Sequence, residues 1–375
     1  MSVFRPFLRQ PVLRILGWPI LWRLLLIVGV VEAIFLAEEF TGLMQLALRN
    51  DGPLSVIGKM LIFRIPEIFD LALAFGLLIA VYFAVGEARD NGELVVLATA
   101  GIPWWRVVTL VSAIGLGGGV LGLLNAGYLL PLSNFAERVT VAELRKDYVL
   151  NKIQTPGDKV AIQTIKDTTF IASPPDEAGQ GKNGNLFVYQ RNVGGVWRAA
   201  SSRNWQVSGQ DNDRHIILLE ELVAHDVALN STVEPPPMNR YAVKAADFNF
   251  SMSEVAPDVD RTPLQAEKLL TFHRDETPRI ANIAARALMV PLAGLLALAA
   301  LVAGRTTLRR IVALPLAAVV MLSVDVVAKA IVVSWASLLP PGLVAANALF
   351  FYLAPPLIYL GLRKEALMKP AGRTE

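Results

Sequence analysis

Six stretches of this chain are long and apolar enough to cross a lipid bilayer, and no water-soluble fold absorbs that many. A helix needs about 20 mostly apolar residues to span a hydrocarbon layer of ~30 Å. The stretches run over 16–38, 62–85, 107–130, 280–303, 311–333 and 343–362. The third, VVTLVSAIGLGGGVLGLLNAGYLL, is uncharged and glycine-rich, a composition that lets helices pack closely in lipid. Over the whole chain 54% of residues are hydrophobic and 18% charged, against ~45–50% and ~25% in soluble domains. The first stretch has no small-residue cleavage site and reads as a retained anchor.

Lysine and arginine near the span ends set the orientation. Arg5, Arg9 and Arg14 precede the first helix. Arg305, Arg309 and Arg310 lie between the fourth and fifth, and Arg363, Lys364 and Lys369 follow the sixth. The short loop 334–342, SWASLLPPG, has no charge. Both termini are therefore expected in the cytoplasm and segment 131–279 on the far side, as for a multi-pass inner-membrane protein. The expected organisation is an N-terminal three-helix bundle over 1–130, a β-rich domain over 131–279 and a C-terminal three-helix bundle over 280–375.

Segment 131–279 changes character abruptly. Short β-prone runs (KVAIQTI, TTFIAS, NLFVYQRN, VWRAASSRNWQVS, HIILLEELVAHDVAL, RYAVKAADFNFSM) alternate with PPDEAGQGKNGN, NVGG, SGQDNDR and NSTVEPPPMN. Strands with such turns predict a sandwich, jelly roll or open barrel. An open sheet would leave edges to which strands of another protein can add.

Several chemistries are excluded or unsupported. The chain has no cysteine, so disulfides, thiolate metal sites and cysteine nucleophiles are impossible. Its three histidines, His215, His225 and His273, form no HExxH pair, and no GxxxxGK[ST] loop occurs to cradle nucleotide phosphates. The residues call for no cofactor, no metal and no nucleic acid. The histidines, Trp197 and Trp205 read as sheet-packing or surface residues.

Residues 86–106, GEARDNGELVVLATAGIPWWR, form the predicted loop between the second and third spans. Asn91 is placed to cap a short helix, with Glu93 in its first turn, where the helix dipole favours an acid. Gly101 and Pro103 stop it. Such a helix over 91–101 fits either a plug for a partner's groove or an interfacial helix lying on lipid beside Trp104 and Trp105.

Three features together resemble the LptF/LptG family, the permease halves of the ATP-binding cassette transporter that exports lipopolysaccharide. RIPEIFDLALAFGLLIAVYFAVGEARDNGELVVLATAGIPWWRVV (64–108) is similar to that family's second helix and following cytoplasmic helix. IANIAARALMVPLAGLLALAAL (280–301) is similar to its return into the fourth helix, and the three-plus-three architecture covers the whole chain. The resemblance implies a periplasmic β-jellyroll-like domain inserted between the bundles, and a second permease of the same type. It implies a cytoplasmic ATPase dimer like LptB, a membrane-anchored periplasmic protein like LptC and a bridge protein like LptA. It places 87–101 in a groove of the ATPase, with Glu87, Arg89, Glu93, Leu94, Val95 and Leu97 as coupling residues. The chain itself would perform no bond chemistry. The sequence assigns neither the LptF nor the LptG position.

One departure concerns the cargo. The family's first helix usually ends in basic residues facing the anionic lipid headgroup, whereas this chain has VVEAIFLAEEF, with Glu32, Glu38 and Glu39. Either the second permease supplies the cations or the cargo is another, less anionic envelope lipid or glycolipid. A non-transporting membrane scaffold or sensor is the rival from outside transport.

Ionisable residues within spans are expensive and usually face a cavity or a partner. Glu32, Glu39, Arg64, Glu67, Asp70, Asp325 and Lys329, with Arg286, all fall in the outer half of their spans. They are expected to line the mouth of a lipid cavity. Simpler readings stand beside this one. Asp325 and Lys329, spaced i,i+4, would neutralise each other. Arg64, Glu67 and Asp70 would sit at the interface, and Arg23 would snorkel to it.

Overall fold

The structure, a computed structural model, describes residues 12–154, 160–165, 167–174, 185–193, 196–210, 214–228, 238–251, 261–271, 276–304, 307–336, 338–363 and 367. Arg5, Arg9, Arg305, Lys364, Lys369, His273 and the linkers around 175–184 and 229–237 lie outside them. Side chains of Trp197, Arg309 and Arg310 do too.

Among the described residues six helices are long and apolar enough to cross a membrane, as expected. In chain order the helices are α1 (Trp18–Arg49), α2 (Leu54–Asp90), α3 (Glu93–Thr99), α4 (Trp104–Leu124) and α5 (Leu130–Gln154). After the strands come a single turn α6 (Pro263–Ala266), then α7 (Thr277–Ala303), α8 (Thr307–Ala336) and α9 (Pro341–Leu362). The chain divides into two compact units. The first holds 1–41, 61–134 and 267–375; the second holds 42–60 and 135–266.

The core of the first unit is α7. Its buried residues include Ala285, Met289, Val290, Leu292, Ala293, Leu295, Leu298 and Leu301, packed with Leu77, Leu78 and Val81 of α2 and Val107 and Val111 of α4. Glycine decides how close α4 comes. A Cβ at Gly115 would lie 2.7 Å from Pro291 Cα, and one at Gly119 3.0 Å from the Ala287 carbonyl oxygen. Both obstacles are backbone, so neither can step aside. Gly115→Ala is therefore expected to force the helices apart at a cost of about 1–3 kcal/mol, the usual range for overpacking. A lowered unfolding midpoint of the detergent-solubilised protein checks this.

The second unit is a single curled antiparallel sheet, a half-barrel, lined by helix α5. Its strands are β1 (Ala161–Ile165), β2 (Thr168–Ser173), β3 (Asn185–Val193), β4 (Val196–Ser202), β5 (Asn204–Gln210), β6 (Arg214–Ala228) and β7 (Met238–Ser251). The order is β1-β2-β3-β4-β6-β5, with β7 along the other edge of β6. β2 shows the two-residue alternation of a half-buried strand. Phe170, Leu186 and Ile217 are fully buried together with Ile153 of α5. Two strands share one edge of β6: β5 pairs as far as Glu220 and β4 begins at Val223. Glu221 stands between them at φ 50°, and the Ser202 hydroxyl donates to the Glu220 carbonyl at the same corner.

The sheet starts later than the expected domain boundary. Residues 135–154 are helical and pack with 42–60 in the second unit, where Lys152 pairs with Asp51 at 3.0 Å. The helix is too polar to count as a span there, but Phe135, Ala142, Leu144 and Ile153 supply its buried face. The first two spans likewise lengthen, to Arg49 and back to Leu54, because helices continue where the hydropathy signal has stopped.

Candidate functional site

Helix α3 is built as a clip with one face in and one face out. The chain turns into it at Gly92 (φ 77°) and out of it at Gly101 (φ 78°). Glycine is the residue that takes this left-handed conformation without steric cost. Gly92, not Asn91, thus holds the N-cap position, and the Asn91 amide instead donates to Glu87 O and finishes α2. Leu94 and Leu97 are buried in the bundle core, while Val96 is 66% exposed. Glu93 and Val95 are half-buried beside it.

Two contacts tie the preceding turn of α2 to other helices. Arg89 is buried and donates from Nη1 to the Leu301 carbonyl at 2.9 Å, among the last carbonyls of α7. Those carbonyls have no partners within their own helix, and a cation there complements the helix dipole. Arg23 of α1 forms an ion pair with Glu87 of α2. Arg23 and Glu87 flank a groove of ≈ 700 Å³ with Tyr82, Phe83 and Asp90. Arg23, read from sequence as snorkelling, is thus the α1 half of a cross-helix pair. Of the expected coupling residues, Glu87 and Arg89 hold the bundle, Leu94 and Leu97 seat α3, and Glu93, Val95 and the newly found Val96 remain on its accessible side.

Several of the charges within the spans converge around residues 64–70 of α2. Arg64 Nη1 bonds Glu67 at 2.9 Å, and Arg64 Nε lies 3.8 Å from Glu39 of α1. One turn further on, Asp70 is 1% exposed, with Oδ2 3.1 Å from Arg286 Nε of α7. Arg286 also donates to the Glu67 carbonyl at 3.0 Å. Asn125, at the end of α4, completes the group: its Nδ2 donates to Asp70 Oδ1 at 3.0 Å and to Pro66 O at 2.8 Å. Glu39, Arg64, Glu67, Asp70 and Arg286 are therefore brought together. Asp70 is inside the bundle and not at an exposed interface.

Asp325 and Lys329 are placed differently. No ion pair joins them among the described residues. Tyr352 of α9 donates to Asp325 Oδ1 at 3.0 Å, and Lys329 is exposed. Glu32 is 9% exposed, and neither of its carboxylate oxygens has a hydrogen-bond partner among the described residues.

Residues 14–363, nearly the whole chain, match the family model described as "Lipopolysaccharide export system permease LptF/LptG". The chain belongs to the LptF/LptG family. A search of the curated proteins finds no match. As a member of this permease family it is a transmembrane transport subunit.

Two residues of this LptF/LptG permease escaped sequence reasoning. Asn125 lies in a span that reads as featureless and apolar. Its spacing from Asp70 carries no signal until helices are packed. Val96 is one of several aliphatic residues in ELVVLAT, and only the burial of Leu94 and Leu97 shows which face is left over.

Proposed function

We propose that this permease is half of the membrane channel of an ATP-driven exporter, lifting lipopolysaccharide out of the inner membrane toward a periplasmic bridge. Both termini and α3 face the cytoplasm, and the β-domain is periplasmic. A separate cytoplasmic ATPase dimer hydrolyses the nucleotide, a second LptF/LptG-type permease completes the cavity, and α3 transmits the stroke. The observation that carries this reading is α3 itself: anchored by Leu94 and Leu97, exposing Val96, and tied through Arg89 to α7. A helix merely resting on lipid has no need of a buried arginine tie at its entrance.

The β-domain receives the lipid. Among the described residues β7 pairs only with β6, and Met238, Tyr241 and Val243 on it are exposed. That free edge suits strand addition by an LptC-like or LptA-like partner.

Except for the enclosed Asp70, the charges of α1, α2 and α8 face the arriving headgroup. Glu32, Glu38 and Glu39 favour a second reading of the cargo, a lipid less anionic than lipopolysaccharide. A buried carboxylate without a partner is costly in a membrane, and a cationic or hydroxyl-rich headgroup would relieve it. Two experiments test these readings. ATP-driven transfer of lipopolysaccharide to a soluble bridge protein is measured with the native complex in proteoliposomes. Glu32→Gln and Glu39→Gln are then compared for lipid-stimulated ATPase and for lipid crosslinking. A change of about 2–10-fold is expected, the worth of one hydrogen bond. Unchanged values in both assays would remove these carboxylates from the lipid path.

A further inference from the structure

The helix leaving α4 is not regular. Between Leu124 and Leu130 it widens into a π-turn, Asn125–Leu129, before continuing as α5. Such turns add a residue to the helix, leave a backbone carbonyl without its ordinary partner, and recur at functional positions. Here the freed capacity is used by another part of the chain. The Leu270 amide, in the strap that returns from the β-domain to α7, donates to Gly127 O at 3.0 Å. The Tyr128 hydroxyl donates to Leu270 O at 3.1 Å. Leu270 is 5% exposed and packs with Ala126, Ile280 and Ile283. A Cβ on Gly127 would come within 2.9 Å of the Leu270 side chain, so the strap packs closely where the glycine leaves room.

The first residue of the same π-turn points the other way. Asn125, 1% exposed, spends both donated hydrogen bonds on α2, at Asp70 Oδ1 and Pro66 O. Asp70 is in turn paired with Arg286 of α7. The Asp70–Arg286 contact is an ion pair without hydrogen-bond alignment at Oδ2, so Asn125 supplies the directional bond on the other oxygen. Buried polar groups of this kind are poor sources of net stability and good sources of a unique register. Five residues thus join the charged cluster of the bundle to both routes of the chain: out along α5, back along the strap.

We infer that the π-turn Asn125–Leu129 is a mechanical relay, with Asn125, Asp70, Arg286 and Tyr128 as its positioning residues. Rearrangement of α2 against α7 shifts Asn125, and the turn passes that shift to the strap at Leu270. This rests on the transport reading above for its purpose, but not for its mechanics. None of these residues needs to touch lipid.

The test uses the complete complex purified from native membranes, with two variants. Asn125→Leu keeps the side-chain volume and removes both bonds to α2. Tyr128→Phe removes only the hydroxyl on the strap. Amide hydrogen exchange is followed in the peptide covering 267–271, and lipid delivered per ATP hydrolysed is followed in proteoliposomes. Both variants are expected to speed exchange at Leu270 at least tenfold. Tyr128→Phe is expected to cut delivery per ATP at least threefold with the hydrolysis rate within twofold of the parent. Exchange at Leu270 that is unaltered by Asn125→Leu overturns the relay, as does undiminished delivery in Tyr128→Phe. If Asn125→Leu does not fold, Asp70→Asn serves in its place, with the same exchange criterion. A parent complex that hydrolyses ATP but moves no lipid would instead sink the transport reading, and the exchange arm would still decide the relay.

Discussion

Val96→Asp is expected to separate this permease from the ATPase proposed above to grip α3. Val96 is the most exposed large apolar residue of α3, beside the half-buried Val95, on a helix whose leucines, Leu94 and Leu97, are committed to the bundle. Burying a valine on docking contributes about 1.5–3 kcal/mol. A carboxylate placed in the same apolar groove loses that and adds its own desolvation. At ~1.4 kcal/mol per factor of ten, the combined change weakens docking by about 100-fold or more. The bundle should be little affected, since Val96 is already 66% exposed and the buried anchors Leu94 and Leu97 are unchanged. The check is co-purification of the ATPase with tagged permease, together with an unfolding midpoint equal to that of the parent. A variant that retains its ATPase would show that the partner grips elsewhere.

Arg89→Met is expected to give the complementary phenotype: the ATPase stays bound and hydrolyses, but little lipid moves. Methionine keeps an apolar stem of comparable reach and fills much of the buried volume. It removes the donor to Leu301 O, the link from the α3 end of α2 to the end of α7. Leaving a buried acceptor without its donor costs about 1–3 kcal/mol, and a donor that was charged puts the loss at the upper end. The expected result is a fall of about tenfold in lipid moved per ATP, with docking retained. Arg89→Lys keeps the charge and should recover part of the loss. Equal losses of docking and transport would mean that Arg89 supports α3 rather than linking it to α7.

These two residues show what the sequence could and could not reveal. The existence of α3 was legible because Glu93 falls where a first-turn acid belongs and Gly101 with Pro103 supplies a stop, although the sequence points to Asn91 as the cap and Gly92 holds that position. Its orientation was not, since Leu94, Val95, Val96 and Leu97 are chemically alike and only packing decides which two are buried. Arg89 reads from sequence as a loop cation beside an ATPase, and burial turns it into an internal tie. The same holds around residues 64–70 of α2. Arg64, Glu67, Asp70 and Arg286 stood out because charge in a span is conspicuous. Asn125 did not, because one amide in an apolar run carries little hydropathy signal. The i,i+4 rule for Asp325 and Lys329 failed against a tertiary competitor, the Tyr352 hydroxyl on α9. The strands were legible from β-prone runs and the turn chemistry between them. The sharing of β6's edge was not, since it depends on a kink at Glu221 and a serine bond 18 residues distant in sequence.

The glycine seam between α4 and α7 sets how the bundle can change shape. Backbone already meets backbone at Gly115 and Gly119, so these two helices have no slack to give and must travel as one spine. Helix α7 has 78% of its most apolar window buried, whereas α1 has 6% and α8 22%. Any narrowing of an enclosed space is therefore expected from movement of the outward-facing helices around this fixed seam, rather than from separation within it.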